Sequence, residues 1–341
     1  EIGTLPARKY ATGDEIYAHC QRIAEKFDLY RNIALQTEVE QIEWDAAAAR
    51  WIIRTNHGDA MRARFVLLAN GYLQKPKLPG IPGILDFKGH MFHTSRWDYE
   101  YTGGDASGGM TKLADKKVGI VGTGASAVQC VPHLGRDAEH LYVFQRTPSS
   151  IDVRDDRPTD PEWMASLEPG WQQRRIDNFQ MLTAGGIAEE DLVQDGWTDI
   201  TKRIREKVMS SGKEFNPETF IEAYRDSDDE KMTEIRARVD ALVQDPETAE
   251  ALKPWYRQLC KRPCFHDEYL DAYNEPGTHL IDTDGKGVDR IDETGIWANG
   301  EHYELDCIIF ASGFEVGTGL ARPAGFDAAG RGGQRLSEYW A

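Results

Sequence analysis

The chain has 341 residues, 40% of them hydrophobic and 28% charged, and carries a formal net charge of −17. This is the make-up of a globular enzyme with room for one to three domains, and its surface repels nucleic acid and anionic membranes. No apolar run approaches the roughly 20 residues that cross a bilayer. The five cysteines (Cys20, Cys130, Cys260, Cys264, Cys307) are scattered and odd in number, which suits reduced thiols in a cytoplasmic setting.

Residues 14–28 place Ile16, Tyr17, Cys20, Ile23, Ala24 and Phe27 at helical spacing, with Asp14 and Glu15 at the N-terminal end. Residues 33–44 and 51–55 read as strands joined by an Asp/Ala turn, and 64–68 as a further strand ending near Gly71. The proline-rich stretch 73–83 reads as an ordered crossing. The stretch 87–98, FKGHMFHTSRWD, combines Gly89, His90, His93, Trp97 and Asp98. That mixture is unusual for a plain linker. The two histidines, three apart on a non-helical stretch and without further ligands, do not make a metal site.

Residues 116–122 form a strand that runs into Gly122-Thr123-Gly124-Ala125-Ser126-Ala127. A helix follows to about Leu134, then a strand over 141–145 that ends in Arg146-Thr147-Pro148. This β-α-β unit fits G-x-G-x-x-G/A. The first glycine allows the tight turn, the second lets a diphosphate approach the backbone, and the small third residue lets the helix pack close. Arg146 stands where an NAD site would have an acid, which favours the 2′-phosphate of NADPH.

Residues 155–256 are charged and helical in spacing, a helical insertion. Within it 178–182 and Gly196-Trp197 either face a cavity or pack the insertion's own core. Strands resume at 279–282, 287–291 and 305–310. Between them Cys260-Lys261-Arg262-Pro263-Cys264 groups two cations. Its C-x3-C spacing suits neither zinc nor a redox pair, so no metal is expected. An arginine there stays charged at any working pH and can stabilise an oxyanion.

Together these residues resemble the Baeyer–Villiger monooxygenases. The family fingerprint F-x-G-x-x-x-H-x-x-x-W followed by Pro or Asp is matched by Phe87, Gly89, His93, Trp97 and Asp98. The glycine loop, 144–148, Lys261-Arg262 and the ASGF at 311–314 extend the resemblance over nearly the whole chain. It implies an α/β fold of two dinucleotide-binding, Rossmann-like domains with a helical insertion in the second. The expected layout is a partial FAD-binding domain at 1–85, a linker with the fingerprint at 86–115, and the NADP-binding domain at 116–154 and 257–310. The insertion at 155–256 interrupts it, and 311–341 returns to the FAD domain.

The resemblance also implies FAD and NADP(H) as cofactors, with a ketone, cyclic or bulky, and O2 as substrates and an ester or lactone as product. By position Arg262 is the catalytic arginine. Gly122 to Ala127, Gln129, Arg146, Thr147 and Lys261 contact NADP, and Val39 contacts the adenine half of FAD. The family's own FAD glycine loop and its C-terminal stretch do not appear, so the chain is read as truncated at both ends, binding flavin poorly by itself. The alternatives are a flavin-dependent N- or S-oxygenase, against which Trp97 and Asp98 speak, and a non-catalytic NADP-binding fragment.

Overall fold

The computed structural model describes residues 2–340 other than 72, 187, 213, 215, 317 and 320, and the backbone but not the side chain of Pro323. In chain order, α1 (Gly13–Lys26) precedes β1 (Val39–Asp45), β2 (Arg50–Thr55) and β3 (Ala60–Ala63). Next come β4 (His90–His93), a short α2 (Tyr99–Thr102), β5 (Lys117–Val121), α3 (Ala125–Asp137) and β6 (His140–Gln145). Then β7 (Ile151–Asp152) leads into α4 (Pro161–Ala165), α5 (Trp171–Thr183), α6 (Gly196–Ser210), α7 (Pro217–Leu242) and α8 (Pro246–Leu252). The chain returns through β8 (Cys264–Phe265), β9 (Thr278–Asp282), β10 (Arg290–Ile291), β11 (Gly295–Ala298), β12 (Glu301–Glu304) and β13 (Cys307–Phe310). It closes with α9 (Ala321–Ala324) and α10 (Leu336–Tyr339).

Two compact units result. One gathers Tyr17–Pro79 with Ser312–Ala341, the other Thr4–Ile16 with Gly80–Ala311. In the first, β1, β2 and β3 form an antiparallel sheet in that order. Trp44 lies opposite Trp51 with the rings edge to face at 5.4 Å, and Ile42 opposite Ile53, both buried. Here two expected strands are shortened or lost. The first begins at Val39 rather than 33, because Gln36 sits at φ +51 and breaks the extended run. The strand expected at 64–68 does not form: β3 ends at Ala63, and Phe65 and Leu67 are 75% and 87% exposed. An apolar run becomes a strand only by pairing, and no described segment pairs with this one.

In the second unit β4, β13, β5, β6 and β9 form one sheet in that order, with every neighbouring pair parallel. Parallel strands covered on both faces read as continuous apolar runs. Cys307, Ile308, Ile309 and Phe310 of β13 and Val118 and Ile120 of β5 are all buried. One face packs on α3 through Ala127, Val128, Val131 and Leu134. The other packs on Ile291, Ile296 and Ala298 from the antiparallel sheet β10-β11-β12, together with Phe87. The β11–β12 hairpin carries its own sequence signal: Asn299-Gly300, both at positive φ, is a favoured two-residue turn.

Two segments depart from the expected layout. Residues 86–115, read as a linker, supply β4 as an edge strand of the parallel sheet, paired with β13 from His90 opposite Cys307 to His93 opposite Phe310. The segment Thr4–Ile16, read as part of the first domain, groups with the second unit. Arg8 Nε lies 2.7 Å from Asp156 Oδ2, and backbone bonds join Lys9 N to Arg157 O and Thr159 N to Ala7 O. The helices α4–α8 follow one another between β7 and β8. Their anchor is Lys231 on α7, 9% exposed at the side chain, whose Nζ meets Asp152 Oδ2 at 2.5 Å and Asp199 Oδ2 at 3.2 Å.

Candidate active site

The register aligns His93, Phe310, Val121, Phe144 and Ile281 across the carboxyl end of the parallel sheet. The glycine loop leaves this end. Gly122 sits at φ +112, and a Cβ there would lie 2.8 Å from Ala311 O, so only glycine makes the turn. Thr123 Oγ1 donates to Thr147 O at 2.9 Å and Thr123 O accepts from Ser149 Oγ at 2.6 Å, which ties the loop to the crossing after β6. Gly124 is the N-cap of α3, has no side-chain cap, and faces open space where a Cβ would stand. The first N–H groups of a helix have no intrahelical acceptor, so those of Ala125, Ser126 and Ala127 are available to an anion. Ala127 is fully buried and lets α3 pack close, while Gln129 is exposed and bonds back to Ala125 O at 2.9 Å.

Cations gather beside this loop. Arg146 and Thr147 are exposed directly after β6, whose last residue Gln145 is buried and donates to Ala251 O. Lys261 Nζ donates to Thr147 Oγ1 at 2.5 Å and to Pro148 O at 3.3 Å, and lies 4.4 Å from the Tyr256 ring centroid. Burial, and then the charge of Arg146, lower the Lys261 pKa. Among the described residues no carboxylate pairs with Arg146, Lys261 or Arg262.

Arg262 is exposed, and the buried Pro263 after it restricts its backbone to extended conformations. Its guanidinium carbon lies 5.9 Å from the Trp197 ring centroid. A cavity of about 190 Å³ opens here, lined among others by Ala125, Gln129, Arg154, Trp197, Arg262 and Phe265. The glycine loop helix and the arginine thus share one cavity. Trp197, flagged in the sequence as one of two pieces that either face a cavity or pack the core, lines it. The other piece does not: Leu182 is buried on α5 and Met181 is 47% exposed. Arg154 and Tyr10 also line the cavity, and neither carried a sequence signal. Two larger cavities, about 380 Å³ beside Trp163 and Trp171 and about 770 Å³ around Lys231, do not touch the glycine loop.

The fingerprint residues are spread along one edge of the sheet. Phe87 is buried, and a Cβ on Gly89 would stand 2.5 Å from the Phe87 ring and 2.7 Å from Asp306 O. His93 is buried at the carboxyl end, its Nδ1 2.9 Å from Ser95 Oγ. Trp97 Nε1 donates to Thr102 Oγ1 at 3.1 Å, and its ring packs edge-on against Phe92. Asp98 caps α2 through Tyr101 N and meets His90 Nε2 at 2.9 Å. The Tyr101 N–H and then the imidazole hold its carboxyl below the ordinary range. None of the five lines the cavity at Arg262.

The second unit therefore fits a dinucleotide: a helix N-terminus without a side-chain cap, an open glycine position and, among the described residues, cations without a carboxylate partner in a strongly acidic chain. In the first unit Val39 opens β1 and pairs with Thr55, within an antiparallel sheet. Among the described residues of that unit no glycine loop joins a parallel strand to a helix, so no second diphosphate cradle is built there.

Comparison with known proteins agrees with this architecture. A family model described as pyridine nucleotide-disulphide oxidoreductase matches residues 1–191. The whole chain aligns at 57% identity with 58% of a neopentalenolactone D synthase from Streptomyces avermitilis, and at 48% with 57% of a Baeyer–Villiger monooxygenase from Streptomyces coelicolor. The chain thus spans somewhat over half the length of these curated relatives. Among solved structures, polycyclic ketone monooxygenase from Thermothelomyces thermophila superposes with a TM-score of 0.88 at 38% identity, over 99% of this chain and 57% of that one. A steroid monooxygenase bound to NADP gives 0.77 at 28%, over 99% and 63%. The chain therefore belongs to the pyridine nucleotide-disulphide oxidoreductase family, and along its whole length its resemblance is to Baeyer–Villiger monooxygenases.

Proposed function

We propose that the protein to which this chain belongs is an NADPH- and FAD-dependent Baeyer–Villiger monooxygenase acting on a cyclic or bulky ketone. The balanced reaction converts ketone, O2, NADPH and a proton to an ester or lactone, NADP⁺ and water. The observation that carries this reading is the placing of Lys261 on Thr147 beside the glycine loop and of Arg262 in the cavity at the N-terminus of α3, where neither they nor Arg146 form an ion pair with a carboxylate among the described residues of a chain of net charge −17. The polycyclic ketone monooxygenase likeness supports the substrate class.

In this reading Gly122, Thr123, Gly124, Ala125, Ser126, Ala127 and Gln129 hold the NADP diphosphate at the helix N-terminus. Arg146, Thr147 and Lys261 hold the 2′-phosphate. Burial first, and then the charge of Arg146, lower the lysine pKa, and an anion placed between the two cations offsets the second of these. Arg262 faces the cavity beside α3, where its guanidinium stabilises negative charge on oxygen as oxygen transfer proceeds. Bound FAD supplies hydride acceptance and oxygen activation. Val39 contacts the adenine half of FAD, and Phe87, Gly89, His93, Trp97 and Asp98 build the sheet edge beside β13 and carry no reacting atom.

The test uses the full-length enzyme. Arg262→Ala leaves flavin reduction by NADPH within about threefold of the parent and lowers ester formation by at least the 10²-fold typical of a lost oxyanion donor. Ester formation at the parental rate would remove Arg262 from the chemistry.

A further inference from the structure

Arg262 has a fixed backbone and an unfixed side chain. Pro263 restricts the backbone, and the β7–β8 pairing that starts at Cys264 opposite Ile151 anchors it. The guanidinium has no carboxylate partner among the described residues, and a long cation without a partner retains rotamer freedom that a reaction must remove. An aromatic ring does approach it. The Trp197 ring lies 5.9 Å from the guanidinium carbon and 5.4 Å from the Phe265 ring.

The position of that indole is built with care. Trp197 sits in the first turn of α6, whose N-cap Asp195 accepts from Trp197 N at 2.9 Å and from Thr198 N at 3.2 Å, with Thr198 closing a capping box. Thr198 is 1% exposed and also bonds Asp191. At Gly196 a Cβ would stand 2.0 Å from the Phe265 ring, so the backbone of α6 lies directly on the residue three beyond Arg262. The helix start and the arginine loop are therefore locked at two points, Gly196 on Phe265 and Trp197 on Arg262. A ring face beneath a guanidinium attracts it and leaves its N–H edge free for a ligand, which an acid partner would occupy.

We propose that Trp197 is a positioning residue for Arg262: the indole on the insertion helix α6 holds the guanidinium toward the cavity beside α3. This rests on the role given to Arg262 under the proposed function. The helical insertion thereby acts on the chemistry through one ring.

The experiment compares Trp197→Phe, Trp197→Leu, Arg262→Ala and the double variant Trp197→Leu/Arg262→Ala in the full-length holoenzyme. Flavin reduction by NADPH and the ester formed per NADPH consumed, both per mole of bound flavin, are the readouts. Phenylalanine keeps a ring face and leucine keeps only apolar bulk. Expected are flavin reduction within about twofold for both Trp197 variants, ester yield within about threefold for phenylalanine, and a loss of at least about tenfold for leucine. The double variant falls no lower than Arg262→Ala alone, because both changes remove the same interaction. Equal yields for phenylalanine and leucine, or losses that multiply in the double variant, overturn the positioning role. Full ester yield in Arg262→Ala overturns the arginine's own role instead, and the cycle separates the two failures.

Discussion

Single residues carry the strongest constraints in this chain, and they differ in how far the sequence announces them. Gly122 belongs to a spaced motif with a strand before it and a helix after it, and its positive φ and contact with Ala311 follow from that turn. Gly89 looked like one letter of a fingerprint. Its reason is steric: Phe87 and the carbonyl of Asp306 leave no room for a methyl group. Gly89→Ala is expected to cost about 1–3 kcal/mol of stability, the usual range for overpacking, read as a lower urea midpoint at unchanged slope. Arg146 follows the second strand, and its proposed role at a 2′-phosphate rests on that place. Arg146→Ala in the full-length enzyme is expected to narrow the preference for NADPH over NADH by about 1.5–3 kcal/mol, the worth of a charged hydrogen bond, measured as the ratio of kcat/KM for the two nucleotides. An unchanged ratio would remove Arg146 from the 2′-phosphate site.

Elements depend on partners that lie far away in sequence. The stretch 90–93 has the same letters whether it is a linker or a strand; its pairing with β13 decides. The turn at 154–156, which carries Arg154 to the cavity, is likewise held by one distant carboxylate. Asp267 accepts the backbone N–H groups of Arg154, Asp155 and Asp156 at 2.9, 3.1 and 3.2 Å. Burial is the largest influence on its pKa and raises it, but the three N–H groups and Arg238 together outweigh burial and the net shift is downward. A carboxyl lowered in the folded state contributes stability above its unfolded pKa of about 3.9 and loses it as the pH falls through the lower folded value. Asp267→Asn is therefore expected to cost about 1–2 kcal/mol at pH 7, modest because the group is partly solvated. The difference from the parent shrinks as the pH drops below about 4, measured by urea unfolding at several pH values. A difference that is flat across this range would show that the carboxylate charge is not what pins the turn.

At the scale of the whole molecule the two units are built differently. The parallel sheet is buried on both faces, with Val118, Ile120, Leu141, Val143, Cys307, Ile308 and Ile309 all fully covered. The antiparallel sheet of the other unit buries Ile42 and Ile53, while Phe65, Leu67 and Leu35 stand largely exposed nearby in sequence. Local opening costs least where buried apolar contacts are fewest. Amide hydrogen exchange on this chain is expected to be slowest in β5, β6 and β13 and to be complete at 65–68 within the earliest time points. Protection at 65–68 equal to that of β5 would contradict the unpaired state of that segment.

The sequence by itself determined what is local in origin. The β-α-β unit with its glycine loop, the cationic end of the second strand, the helical insertion and the fingerprint could all be read there, because each is one contiguous stretch of sequence with its own spacing. Only the tertiary structure decided which strands exist and what the functional side chains meet. Residues 64–68 carry four apolar side chains and 90–93 only Met91 and Phe92 between two histidines, yet only the second found a partner. Arg262 and Trp197 lie on separate segments, and their meeting follows from Gly196 fitting against Phe265. Pairing and packing are set by the other side of the contact, and a single segment carries no record of it.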